Sequence, residues 1–179
     1  LSKLSLFESD DHYAVPTEDK FVLRHDTLSF LHDKIMSEFN RLNSEHLKYD
    51  NQFVMNTSWY TYSKPGQYAT FHNHSNCMFS GVFYVKVPEN SGDIEFDAHT
   101  GSTFQPRSSE PNILNSRSIK IKPSRGKLLL FDSNIYHEVK MNESDDVRVS
   151  IAFNLLPTGE LGYFDSHLKL NYGESGFSI

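Results

Sequence analysis

Two histidines one residue apart are the most chemically suggestive feature of the chain. His72 and His74 stand in a segment, residues 67–74, that is predicted to be a β-strand. Alternate residues of a strand project from the same face, so both imidazoles would point in one direction. Neutral imidazoles are common ligands of transition metals. The pair therefore predicts part of a metal site.

Two features further along the chain would complete such a site. His137 follows an apolar segment, residues 127–132, and a short Ser-Asn turn, which would bring a third imidazole to the edge of the core. In residues 146–154 apolar and polar side chains alternate, so that Arg148 and Ser150 share the face opposite the core residues. A guanidinium fork beside a hydroxyl suits a carboxylate. We therefore expect a metalloenzyme that binds an anion beside its metal.

The other histidines and the single cysteine carry no comparable pattern. Cys77 cannot form an internal disulfide, which favours a reducing compartment and a packing role for this side chain. Exposed or hydrogen-bonded structural roles are expected for the six remaining histidines, which are His12, His25, His32, His46, His99 and His167.

Composition limits the classes to which the chain can belong. A length of 179 residues with 37% hydrophobic residues fits one domain with a sizeable core. No apolar run approaches the roughly 20 residues needed to cross a bilayer, and a signal-peptide pattern is lacking. The net charge is −6 and no basic stripe is present, which argues against a nucleic-acid partner. We expect a cytoplasmic protein with neither membrane nor nucleic acid as a partner.

One helix and about eight strands are predicted. Apolar residues recur at helical spacing from Leu28 to Leu42, which predicts a helix with Asp26 or Thr27 as its N-cap. This number of short strands is typical of a jelly roll or sandwich, so we predict a mainly β domain with the helix packed on a sheet. The strand segments are 52–62, 67–74, 79–87, 92–97, 118–122, 127–132, 135–140 and 146–155.

The segments are predicted to form a single domain, residues 1–179. Residues 1–50 are expected to hold a lead-in with an edge strand and the helix, 51–157 the jelly-roll core, and 158–179 a tail laid over the barrel surface. The polar stretch 98–117 is too long for a hairpin and is either disordered or a lid, and its position between the candidate ligands favours the lid. Exposed strand edges favour a homodimer.

The ordered motifs resemble those of the Fe(II)/2-oxoglutarate-dependent dioxygenase superfamily, in the branch akin to prolyl hydroxylases. Segments 62–68, 79–85 and 126–131 resemble the strands and turns that flank the metal ligands in these enzymes. The similarity extends over residues 56–157 and is greatest to a group of 2-oxoglutarate oxygenases with a His-x-His motif. The motifs are His72-x-His74, the distal His137, Arg148-x-Ser150 and Phe153-Asn154.

This resemblance implies a double-stranded β-helix that holds Fe(II) at its open end and binds 2-oxoglutarate to the metal. Arg148 would bind the distal carboxylate of 2-oxoglutarate with help from Ser150, and Tyr84, Asn154 and Tyr62 would add hydrogen bonds. Such enzymes couple decarboxylation of 2-oxoglutarate to succinate with hydroxylation of a substrate by molecular oxygen. The substrate class stays open between a peptide and a small molecule.

The third metal ligand is the point at which the chain departs from the superfamily pattern. These enzymes usually have a carboxylate two residues after the first histidine, where this chain has His74. Either three histidines hold the metal, or Asp97 supplies an oxygen ligand and one of the paired histidines lies outside the coordination sphere. Strand geometry favours the three histidines, because it brings the pair together without further assumptions.

Two other functions fit the same pattern. A cupin-type enzyme that does not use 2-oxoglutarate could hold its metal on the three histidines and bind the carboxylate of its own substrate with Arg148. A non-catalytic jelly-roll module could stack sugars on aromatic side chains, although core packing is their commoner role. The fold alone does not decide among these functions. The aromatic residues concerned are Trp59, Tyr60, Tyr62 and Tyr84.

Overall fold

Two antiparallel sheets and one α-helix form the described part of the fold. The computed structural model describes residues 12–97, 107–110, 112, 115–173 and 176–178. Most of the stretch 98–117, for which a lid or disorder is predicted, lies outside the described residues. The helix α1 spans Ser29–Leu42, and the strands are β1 (Val15–Pro16), β2 (Gln52–Ser63), β3 (Ala69–His72), β4 (Phe79–Lys86), β5 (Ile94–Asp97), β6 (Ser118–Ile121), β7 (Leu128–Asp132), β8 (His137–Val139), β9 (Arg148–Leu161), β10 (Leu168–Gly173) and β11 (Gly176–Ser178).

The larger sheet is organised around β9, and the smaller one carries the histidines. β9 pairs with β2 along one edge, and along the other edge with β4 and then with β10. The short β1 borders β2, as the predicted edge strand of the lead-in, while β7 borders β4 and β11 borders β10. The smaller sheet has the order β3-β8-β5-β6. The predicted mainly β class with a single α-helix is confirmed.

Helix α1 covers the larger sheet. Ile35 and Phe39 are buried, and the ring of Phe39 lies 4.9 Å from that of Phe53 on β2. The predicted apolar stripe is therefore confirmed, but the predicted N-cap is wrong. Residues 26–28 form a 3₁₀ turn, so that Leu28 takes the N-cap position without a side-chain hydrogen bond.

Among the described residues, no helix combines the length and hydrophobicity needed to span a bilayer.

Strand β9 continues into the segment for which a surface tail is predicted. It runs through Pro157 to Leu161, and β10 and β11 then extend the sheet as a hairpin. Pro157 is tolerated because β4 pairs only as far as Leu155 and β10 begins to pair at Gly159. The carbonyl of Leu155 faces the β4 side, so the N–H that Pro157 lacks would point into this unpaired gap.

Candidate metal and cofactor site

Three histidines meet at one end of the smaller sheet. His72 ends β3 and is the register partner of His137, which begins β8, while His74 lies two residues beyond β3. One nitrogen of each ring lies within 4.8 Å of the nitrogens of the other two. The ring centroids are 4.4 Å apart for His72 and His137 and 5.2 Å apart for His74 and His137. The sequence-predicted candidate ligands are thus brought together.

Hydrogen bonds fix which nitrogen each ring offers. Nδ1 of His72 lies 2.6 Å from the carbonyl oxygen of Thr70, and Nδ1 of His137 lies 3.1 Å from that of Ile135. Nδ1 of His74 lies 2.7 Å from Oδ1 of Asn154. These oxygens accept hydrogen bonds and cannot donate, so each Nδ1 carries the proton and each Nε2 keeps its lone pair. Three free Nε2 atoms in one cluster form a donor set that fits a divalent metal such as iron.

Burial favours the neutral form of two of the histidines, His74 and His137. His137 is only 4% exposed, and burial lowers its pKa from 6.5 to about 4 against the opposing effect of the Ile135 carbonyl. Burial also lowers the pKa of His74, while its hydrogen bond to Asn154 acts in the opposite direction. A metal competes with protons for imidazole nitrogen, so low pKa values leave these two candidate ligands available at neutral pH.

The pKa of His137 predicts a loss of stability at acid pH in the metal-free protein. Because the folded-state pKa lies below the ordinary 6.5, the unfolded chain takes up the proton first as the pH falls. The contribution of neutral His137 to the free energy of unfolding is complete above about pH 6.5. It falls by up to about 3 kcal/mol as the pH is lowered towards pH 4. Urea unfolding of chelator-treated wild type and His137→Gln at pH 7 and pH 4.5 measures it. The free energy of unfolding of wild type minus that of the variant should fall by about 2 kcal/mol between these pH values, and a constant difference would contradict the prediction.

A cationic group lies in the same cavity as the histidines. Arg148 is 3% exposed and lines this cavity together with Ser150 and Tyr84. Its Nη1 donates to the carbonyl of Ser91 and, at 3.1 Å, to that of Gly92. Within the described residues, Arg148 forms no ion pair with a carboxylate, and burial lowers its pKa. A buried cation that faces a cavity is therefore solvated only by neutral groups.

Tyr84 supplies a hydroxyl beside this cation. Burial raises the pKa of Tyr84 to about 12, with the charge of Arg148 acting in the opposite direction and that of Asp93 adding to the rise. The phenol is consequently protonated at any physiological pH and can donate a hydrogen bond. Ser150 is the register partner of both Tyr84 on β4 and Thr61 on β2, so three hydroxyl-bearing residues line one part of the cavity.

Three other sequence-predicted residues lie away from the cavity walls. Asn154 contacts His74 from behind, and the Tyr62 ring lies 6.0 Å from the ring of Tyr60 beside the hydrophobic core. The ring centroids of Phe96 and His137 lie 5.6 Å apart, so Phe96 faces the histidines and its neighbour Asp97 projects from the opposite face of β5. The histidine cluster accordingly does not include Asp97.

Two residues of β2 that are not among the predicted site residues also line the cavity. The sequence pattern predicts no role for Thr61 and only sugar stacking for Trp59, although both line the cavity from β2. The Trp59 ring lies 5.9 Å from that of His74. The period-two series Thr57-x-Trp59-x-Thr61 within a predicted strand was the signal that would have found them.

Comparison with known proteins decides the family. A family model described as "Putative 2OG-Fe(II) oxygenase" matches residues 57–154, more than half of the chain. The chain belongs to this family. The oxygenase is therefore an oxidoreductase that depends on Fe(II) and 2-oxoglutarate, and its substrate is unidentified. A comparison with curated protein sequences gives no significant match.

Solved structures of oxygenases share the fold of this oxygenase at low sequence identity. A prolyl-4-hydroxylase from Pseudomonas putida is 15% identical with a TM-score of 0.57, and the match covers 86% of this chain and 78% of that one. HygX from Streptomyces hygroscopicus, with nickel, 2-oxoglutarate and hygromycin B bound, is 10% identical with a TM-score of 0.60 and coverages of 88% and 75%. The non-heme α-ketoglutarate-dependent carbocyclase SnoK from nogalamycin biosynthesis is 11% identical with a TM-score of 0.64 and coverages of 88% and 70%. The predicted double-stranded β-helix is confirmed.

Proposed function

We propose that this oxygenase hydroxylates a small-molecule or peptide substrate with iron held by His72, His74 and His137, and that Arg148 binds the distal carboxylate of 2-oxoglutarate. Ser150 and Tyr84 donate hydrogen bonds to the same carboxylate. The reaction consumes 2-oxoglutarate, O₂ and a C–H bond, and gives succinate, CO₂ and the hydroxylated product. The bound iron supplies the activation of oxygen in this chemistry.

The observation that carries the proposal is the buried guanidinium of Arg148 in the cavity of the three histidines. Burying a cation among neutral groups is costly unless an anion accompanies it. A ligand carboxylate provides that anion, and a planar guanidinium can bind it through two parallel hydrogen bonds. A dicarboxylate is the ligand that suits both ends of the cavity, since one carboxylate meets Arg148 and the other end meets the metal.

The remaining residues of the cavity orient the ligand and limit its contact with water. The phenol of Tyr84, protonated because burial raises its pKa to about 12, donates without changing the charge of the site. Apolar side chains line the cavity between the histidines and the arginine, among them Val82, Ile94 and Val139. Excluding water from this space strengthens the charge interaction at Arg148 and protects a reactive oxidant.

The proposal includes the compartment and the partners. The free Cys77 supports a reducing compartment such as the cytoplasm. The net charge of −6 supports a substrate other than nucleic acid. A homodimer formed through exposed strand edges stays a prediction.

The function is tested by turnover of 2-oxoglutarate. Purified protein with Fe(II), ascorbate and 2-oxoglutarate is expected to form succinate slowly without substrate, and faster when a library of peptides and small metabolites includes a substrate. Omitting Fe(II) should abolish succinate formation. If 2-oxoglutarate fails to bind to the metal-loaded protein, the proposal is wrong.

Metal-dependent turnover without 2-oxoglutarate would instead favour a cupin-type enzyme. The sugar-binding module is disfavoured because Tyr60 and Tyr84 are buried.

A further inference from the structure

His74 is held differently from the other two histidines. His72 and His137 each donate from Nδ1 to the main-chain carbonyl two residues earlier, a contact that any sequence could provide. His74 lies beyond the end of β3, and its Nδ1 meets only side chains, Asn154 and Ser80. The orientation of its ring therefore depends on residue identity elsewhere in the chain.

A buried chain of polar side chains determines the direction of this contact. Nδ2 of Asn154 donates to Thr57 Oγ1 at 2.9 Å, which leaves Oδ1 as the acceptor for His74. The Ser80 hydroxyl also donates to this Oδ1, at 2.8 Å, so Ser133 is the donor in the contact between the Ser80 and Ser133 hydroxyls, which lie 2.8 Å apart. Because Oδ1 of Asn154 can only accept, its 2.7 Å contact with Nδ1 of His74 places the ring proton on Nδ1.

Four elements of the fold deliver these side chains to one place. Ser80 on β4 and Thr57 on β2 are both register partners of Asn154 on β9, one on each side. Ser133, in the turn after β7, accepts the main-chain N–H of His74 at 3.0 Å through its carbonyl. Ser80 and Ser133 are fully buried and Asn154 is nearly so. These three side chains are consequently shielded from water, which strengthens the hydrogen bonds among them.

We propose that Asn154, supported by Ser80, Ser133 and Thr57, is a positioning residue that holds His74 as a neutral ring with Nε2 directed at the metal. This inference rests on the proposed function, because it takes His74 as a ligand. It gives a physical reason why a histidine can stand where related enzymes carry a carboxylate. A carboxylate can coordinate through either oxygen, whereas an imidazole needs one defined tautomer and one ring orientation.

The test compares Asn154→Ala with Asn154→Asp. Alanine removes the acceptor of His74 Nδ1, while aspartate keeps an acceptor oxygen in the same place. Trp59, the single tryptophan of the chain, lies beside His74, so quenching of its fluorescence by Co(II) or Ni(II) reports metal binding without 2-oxoglutarate. We expect Asn154→Ala to weaken metal binding about 10- to 100-fold and Asn154→Asp to restore it to within a few-fold of wild type. Asn40→Ala, at an exposed position on α1, is the matched control.

A second measurement separates positioning from a merely structural role. Long-range ¹H–¹⁵N spectra of the metal-free protein at pH 7.5 identify the tautomer of each histidine. We expect the Nδ1–H form of His74 in wild type and in Asn154→Asp, and a mixture of tautomers in Asn154→Ala. His72 and His137 should keep the Nδ1–H form in all three proteins.

Unchanged metal affinity and an unchanged His74 tautomer in folded Asn154→Ala would overturn the inference, as would an Nε2–H form of His74 in wild type. Should Asn154→Ala fail to fold, Ser80→Ala serves instead, because it removes one contact to Nδ1 and one donor to Asn154. Neither readout involves 2-oxoglutarate. Absence of succinate formation together with the expected metal and tautomer results would therefore count against the proposed function and leave this inference standing.

Discussion

Replacing Arg148 with methionine is expected to weaken 2-oxoglutarate binding by about 30-fold to several thousandfold, because removing one partner of a buried charge pair typically costs about 2–5 kcal/mol. Metal affinity should not change, since among the described residues Arg148 donates to the Ser91 and Gly92 carbonyls and not to His72, His74 or His137. The measurement is calorimetric titration of 2-oxoglutarate into Ni(II)-loaded protein. Arg125→Met, at an exposed position in the turn before β7, is the matched control and should bind normally.

The same substitution should not lower the stability of the ligand-free protein, although it weakens ligand binding. The guanidinium of Arg148 is buried among neutral groups in the ligand-free protein, so an apolar side chain of similar length should leave the free energy of unfolding unchanged or raise it. Loss of ligand binding without loss of stability would show that the arginine serves the ligand. Binding of 2-oxoglutarate to Arg148→Met within twofold of wild type would exclude Arg148 as the carboxylate-binding residue. A large loss of stability would indicate that its bonds to the Ser91 and Gly92 carbonyls matter more for the fold.

The alternating pattern of residues 146–154 accounts for most of what the sequence could predict about the site. Val149, Ile151 and Phe153 are buried in the core, while Arg148 and Ser150 line the cavity, as the period of two requires. Such a period assigns a face to each side chain because successive Cβ atoms point to opposite sides of the sheet. The spacing of the histidines and the strands around them predict the histidine cluster in the same way.

The same pattern could not specify position along the face. Asn154 was predicted to bind 2-oxoglutarate, yet it lies four residues beyond Ser150, about 13 Å along an extended strand. It contacts His74 instead, and this contact depends on the pairing of β9 with β4, which joins residues 74 positions apart. Tyr62 was likewise assigned to the cofactor pocket, whereas the structure places it beside Tyr60. Such contacts depend on the register between strands that are distant in the sequence, and this register cannot be predicted from the pattern of one sequence.

The motif of residues 79–85 illustrates how a resemblance acquires physical content from the structure. Ser80 contributes to the network behind His74. Gly81 packs so closely on Phe153 that an added Cβ would lie 2.3 Å from its ring. A side chain at position 81 would push β4 away from β9 and disturb the register of Ser80 with Asn154. Gly81 thus permits the close pairing of β4 and β9, and the contact of Ser80 with Asn154 depends on that pairing.

Replacing His74 with alanine is expected to weaken Fe(II) binding by about 100- to 1,000-fold. The free energy of metal binding, about 10–16 kcal/mol in closed four-ligand zinc sites, corresponds to about 3 kcal/mol or more for each ligand. His137→Ala should have an effect of the same size, because each of the two rings offers one nitrogen to the cluster. His46→Ala, at an exposed position after α1, is the control and should bind iron as wild type does. Anaerobic titration with Fe(II), followed through Trp59 fluorescence, measures all four proteins.

His74→Asp distinguishes a ligand from a neighbour of the metal. We expect His74→Asp to bind Fe(II) within about tenfold of the wild-type affinity, whereas His74→Ala loses about 100-fold or more. This difference would place the side chain of residue 74 on the metal, because both imidazole and carboxylate coordinate iron. Its recovery should be incomplete, since the aspartate cannot donate to Oδ1 of Asn154 as the His74 ring does. Unchanged binding in His74→Ala would remove His74 from the coordination sphere. The third ligand would then have to come from elsewhere, and Asp97→Asn would test the remaining candidate. Asp97 projects from the opposite face of β5, so that strand would have to rearrange for Asp97 to reach the metal.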